Sequence, residues 1–68
     1  MIIYLLECND FVTARYVDKG SCENALECAQ AQDAEWNAMV EAIPRIERKP
    51  WHIFRNNWWS MSEVESVA

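Results

Sequence analysis

The sequence predicts an α+β fold: a small antiparallel sheet, made of an N-terminal hairpin and a C-terminal aromatic strand or hairpin, packed on one long amphipathic helix. Three observations carry this. Two β-rich runs, 2–8 and 11–17, are separated only by Asn9 and Asp10; a helical hydrophobic period spans 21–43; and an aromatic-rich segment follows Pro50. At 68 residues the chain is one domain at most. A chain this short buries only about 60% of the surface that its unfolded form exposes. Four Trp, two Tyr and two Phe compensate with large apolar area per residue. Residues 1–62 are expected to form the compact unit and 63–68 a frayed tail, because the last residues carry too little apolar area to dock.

In chain order, Asn9 and Asp10 tolerate the positive φ of a two-residue hairpin turn. With that turn and an unbroken ladder, Ile3, Leu5, Val12, Ala14 and Tyr16 share the core face, and Ala14 leaves room for a crossing helix. On the other face Tyr4 stands opposite Arg15, a cation–π pair worth about 0.5–1 kcal/mol. The apolar start has no positive n-region and meets Glu7 early, so a strand is expected there, not a signal peptide or a membrane span.

Asp18, Lys19 and Gly20 break the strand pattern, and Ser21 is placed to cap the helix with its hydroxyl. Glu23 complements the positive end of the helix dipole, and Pro44 ends the helix by forcing Ile43 out of helical geometry. Cys22, Ala25, Leu26, Ala29, Trp36, Met39, Val40 and Ile43 fall within an arc of roughly 140°. The expected core is Ile3, Leu5, Ala14, Leu26, Ala29, Trp36, Val40 and Ile43. At about 34 Å the helix exceeds a seven-residue strand of roughly 24 Å, so it must overhang or bend. The apolar stripe is weakest at 32–35, where Asp33 has the chemistry to cap a second helix, but one helix is expected. Past Pro50, a second hairpin or a long bent strand over 51–61 is expected to join the sheet, and Ser60 with Glu63 has the spacing of a capping box over a last short turn.

Three cysteines, Cys8, Cys22 and Cys28, are an odd set that fits a reducing, cytoplasmic compartment better than a disulfide framework. They are expected as buried thiols. On a helix Cys22 and Cys28 point about 120° apart, and His52 is the only histidine, so no metal site and no cofactor are expected. No Ser or Cys sits in a nucleophile context, and no enzymatic activity is expected.

Two surfaces remain. The net charge of −5 disfavours nucleic acid and favours basic partners. Glu23, Glu27 and Glu41 nearly eclipse one another on the outer helix face, with Glu35 beside them and Asp33 at the edge, and 21–43 contains no cation to neutralise them. The second surface, 45–59, mixes Arg45, Arg48, Lys49 and Arg55 with Trp51, Trp58 and Trp59, the combination that single-strand binding uses. The alternative for that stretch is that Trp51, Ile53 and Trp58 turn into the core while Arg45, Arg48 and Lys49 pair with the acidic helix.

The strand pair, the linker ending in Ser21, the ALECA run 25–29 and the later aromatic strand resemble the layout of small acidic phage-encoded inhibitors, including anti-CRISPR proteins and phage inhibitors of host RNA polymerase. The resemblance is one of layout and carries over no residue. With that layout beside them, the missing catalytic, metal and membrane signals and the anionic helix face lead to the expectation of a non-enzymatic inhibitor that occupies a basic surface of a nucleic-acid-handling complex, such as a CRISPR effector or RNA polymerase, with the glutamates imitating phosphates. A nucleic-acid-binding module on 45–59 is the second expectation. No membrane partner is expected, and the sequence leaves the oligomeric state open.

Overall fold

Asn9 and Asp10 take φ angles of 52° and 71°, the left-handed pair that a two-residue hairpin requires, and they join β1 (Ile2–Cys8) to β2 (Phe11–Tyr16). The structure is a computed structural model that describes residues 1–66. The chain continues through α1 (Lys19–Ala42) and a 3-10 turn at Arg45–Glu47 to β3 (Trp59–Glu65). The strands form an antiparallel sheet in the order β2-β1-β3, packed against α1, so the fold is α+β as the sequence predicts.

The hairpin ladder is not unbroken. Glu7 pairs with Val12 but Leu6 pairs with Ala14, which leaves Thr13 as the extra residue of a bulge, its hydroxyl donating to the Leu6 carbonyl at 3.0 Å. This shift moves Ala14 from the side of Leu5 to the side of Leu6, and it places Arg15 opposite Leu5 and Tyr4 opposite Tyr16. The face that meets α1 therefore carries Tyr4, Leu6, Cys8, Ala14, Trp59 and Met61. Leu6 is 6% exposed there, and the Trp59 indole reaches Asp33 of α1 at 2.7 Å. Ile3, Leu5 and Val12, expected in the core, lie on the opposite face, where the first two are half-buried and Val12 is exposed.

Asp18, not Ser21, caps the helix: its carboxylate accepts from the Ser21 amide at 2.9 Å and from the Ser21 hydroxyl at 3.1 Å. Gly20 keeps that cap uncrowded, since a Cβ there would lie 3.2 Å from the accepting oxygen. The helix runs unbroken past Asp33 and ends where Pro44 holds Ile43 extended at ψ 125°. The Arg48 guanidinium then donates to the Ile43 carbonyl at 3.0 Å, a cation at the negative end of the dipole.

Among the described residues the buried core is Leu6, Cys22 and Val40, the last two fully buried. Cys22 and Val40 stand about five turns apart on one side of α1. Ala14, Leu26, Ala29, Trp36 and Ile43 are half-buried. Burial, and secondarily the neighbouring Glu23, pushes the Cys22 thiol up in pKa. The three cysteines do not share this environment: Cys8 is half-buried and Cys28 is exposed.

β3 pairs with β1 along its whole length, from Cys8 with Trp59 to Ile2 with Glu65, and the Ser66 amide donates to the Met1 carbonyl at 2.7 Å. Residues 63–66, expected as tail, are thus held in the sheet, and the Ser60–Glu63 capping box is replaced by strand. Residues 67–68 of that expected tail lie outside the described residues. The 51–58 segment does not join the sheet. It returns along the outer half of α1 as an extended strap, because side chains of the helix take its backbone groups. The Trp36 indole donates to the Ile53 carbonyl at 2.7 Å, and the Asn37 carboxamide accepts from the Arg55 amide at 2.7 Å and donates to the Arg55 carbonyl at 2.9 Å. The helix overhangs the sheet, and the molecule measures 55 × 19 × 12 Å. Among the described residues, no helix is long and apolar enough to cross a membrane.

Candidate functional surfaces

Asp33 is the junction of helix, strap and sheet. Its side chain is only 14% exposed, and its carboxylate accepts from the Trp59 indole at 2.7 Å, the Asn57 carboxamide at 3.2 Å and the Arg55 guanidinium at 3.5 Å. The Trp59 hydrogen bond above all holds this carboxyl below its usual range; burial opposes it, and the Asn57 and Arg55 contacts add to the lowering. Expected at the edge of the acidic stripe, Asp33 is instead turned inward. Asn9 extends the same network: its amide donates to the Trp58 carbonyl at 2.8 Å, and its side chain accepts from the Trp58 amide at 2.7 Å. Beside Asp33 lies a cleft of about 410 Å³ lined in part by Gln30, Asn37, Asn56 and Trp58, with no nucleophile–base pair in its lining.

The remaining helix carboxylates stand outside. Glu23, Glu27, Glu35 and Glu41 are all exposed. Glu23 has Lys19 at 3.9 Å, because α1 starts two residues before Ser21 and brings that cation to the i,i+4 position. Among the described residues, Glu27, Glu35 and Glu41 make no ion pair within 4.0 Å. These three span about 21 Å of rigid helix.

The basic-aromatic stretch is divided. Arg55 and Trp59 are engaged internally, the first lying 4.9 Å over the Trp36 ring as well as on Asp33. Arg48 is half-buried, caps α1 and lies 5.4 Å over the Phe54 ring. Arg45 and Lys49 are exposed and make no ion pair with the helix glutamates. Trp51 is 64% exposed, Ile53 67% and Trp58 61%, so the expected inward turn of these side chains does not occur. Strap residues cannot reach the sheet core when they run along a helix that projects past it.

Sequence reasoning missed Asn9, Asn37 and Asn57 as clamps. A signal existed for Asn37: with Asp33, four residues before it, it forms a polar pair on the margin of the apolar arc, where a polar side chain needs a partner. Ile46, 95% exposed, had no such signal. Among the described residues, no group of three or more His, Cys, Asp or Glu is placed to hold a metal ion. Comparison with known proteins finds no family model, no curated protein and no solved structure that matches this chain.

Proposed function

We propose that this chain is a non-enzymatic binding protein of the cytoplasm, which occupies a basic surface of a nucleic-acid-handling complex and acts by occlusion. The observation that supports this reading is the set of outer-face carboxylates Glu27 and Glu41, with Glu35 further round the helix, which are exposed, have no counter-ion within the described residues and are mounted on a long rigid element. Nothing in the packing requires these carboxylates, whereas Asp33 has a structural role. A fixed anionic row accelerates encounter with a basic groove and selects against acidic ones. A CRISPR effector or an RNA polymerase offers such a groove where it takes a phosphate backbone.

The test is the triple variant Glu27→Lys, Glu35→Lys, Glu41→Lys. Exposed charges contribute about 0–1 kcal/mol each, so the variant should fold as the wild type does. Wild-type protein should capture a basic partner from cells of its source, with an on-rate that falls as salt rises, and the variant should lose that partner. Undiminished association of the variant at low salt would exclude the acidic face as the contact. A second reading, single-strand nucleic-acid binding by Arg45, Lys49, Trp51 and Trp58, is favoured by the exposure of these two indoles on the segment whose cations Arg45 and Lys49 make no ion pair among the described residues. It requires salt-sensitive oligonucleotide binding that quenches Trp fluorescence, and the absence of any binding at low salt would remove it.

A further inference from the structure

The molecule has more surface than a chain of its size should leave to water. A compact monomer of 8.0 kDa is expected to expose about 4,450 Å², whereas this chain exposes 5284 Å². Its radius of gyration is 15.7 Å, against about 11 Å for a compact chain of the same length. The surplus of about 800 Å² matches what one partner buries in a standard-size interface.

Half of the exposed large apolar side chains among the described residues lie in the arm, the part of the molecule formed by residues 36–58. Here Ile46 is 95% exposed, Ile53 67%, Trp51 64%, Trp58 61% and Phe54 45%. The three aromatic rings alone present roughly 300 Å², before the two isoleucines are added. Exposed apolar area on this scale marks an interaction surface.

The charges on the arm select the occupant. Arg45, Arg48 and Lys49 flank Glu47 in sequence, and among the described residues none of the four makes an ion pair within 4.0 Å. A nucleic acid would use the cations and be repelled by Glu47; a purely basic partner would do the reverse. A two-fold contact between identical patches needs both signs within one patch, so that each copy supplies what the other lacks. We propose that the arm is a self-association surface and that two copies of this chain pair arm to arm, burying Ile46, Trp51 and Phe54 at the centre with Glu47 of each copy near the cations of the other. Glu27 and Glu35 lie outside this contact and Glu41 lies within the span of the arm, so the dimer is tested on the chain alone, without the basic partner, and its outcome is distinct from that of the partner capture.

Sedimentation velocity on the intact chain, from about 1 to 100 μM, tests it, since interfaces of this size fall in or below that affinity range. The mass should rise from 8.0 kDa to twice that value. Ile46→Glu should weaken the dimer at least about tenfold, as a charge at a desolvated centre does. Because that side chain is 95% exposed, the variant keeps its fold and its circular dichroism. Glu47→Arg should also weaken the dimer, whereas it would strengthen binding to a single-stranded oligonucleotide. A chain that stays at 8.0 kDa throughout overturns the proposal, whether or not it binds nucleic acid or another protein. A dimer that is indifferent to Ile46→Glu, or tightened by Glu47→Arg, overturns it equally.

Discussion

Leu6→Ala should leave this protein largely unfolded at room temperature. Leu6 sits on the central strand, is 6% exposed, and is one of the three buried residues among those described. Truncating a buried leucine costs about 2–5 kcal/mol, the transfer free energy of the lost atoms plus that of the cavity. Typical stabilities imply only about 3–10 kcal/mol for a chain of this length. The loss is therefore comparable with the whole. Urea unfolding should show a midpoint near zero or a large fall at unchanged slope. By contrast Leu5→Ala, on the uncovered face, should cost far less. Equal effects of the two substitutions would mean that α1 does not cover the Leu6 face.

Asp33→Ala should have the next largest effect, about 2–4 kcal/mol, because hydrogen bonds to a charged acceptor contribute about 1.5–3 kcal/mol each and their donors would lose it together. The Trp59 indole and the Asn57 carboxamide would lose their acceptor, and Arg55 its counter-ion. The strap would then be held mainly by Trp36 and Asn37. A pH dependence follows from the same contacts. The folded protein holds the Asp33 carboxyl below its usual range, so its contribution is fully present above the unfolded value of about 3.9 and is lost as pH falls through the lower folded value. Melting temperature should therefore drop in acid for the wild type. With Asp33→Asn the part of that drop due to this carboxylate should vanish, and an unchanged acid limb would assign the drop to other groups.

Much of the framework was legible in the sequence because local chemistry decided it. Asn9 and Asp10 specify the turn, Pro44 stops the helix, and the three- and four-residue spacing from Cys22 to Ile43 marks the face that α1 turns inward. What was not legible depended on choices between near-equal local options. Asp18 and Ser21 both cap helices, and Asp18 prevails because Gly20 leaves room for its carboxylate while Ser21 donates to it twice. The bulge at Thr13 has no strong sequence signal, yet it decides that Ala14 joins Leu6 and not Leu5. Residues 63–65 look too polar to dock, but an edge strand with one uncovered face needs only alternate inward residues, and Trp59 and Met61 provide them. The outward glutamates follow from helical periodicity alone. So does the inward turn of Asp33, which at 100° per residue falls between Leu26 and Val40 in the apolar arc, whereas the exposure of Trp51 and Trp58 depends on where the strap lies.

The claim on which the surfaces depend is that β3 closes onto β1 and that α1 crosses only one face and overhangs the sheet. Residue-resolved amide hydrogen exchange tests this most directly. β1 should be the most protected strand, since it alone is paired on both sides, with comparable protection through the part of α1 between Cys22 and Val40. Residues 59–65 should be protected at the amides that donate to β1, and the amides of residues 51, 53, 54, 56 and 57 should exchange fastest outside the termini, whereas those of Arg55 and Trp58 are held by Asn37 and Asn9 and that of His52 by the Lys49 carbonyl. If α1 proved protected while residues 2–8 and 59–65 exchanged at unfolded rates, the sheet would not exist as described, and neither the placement of the glutamate row nor that of the arm would stand.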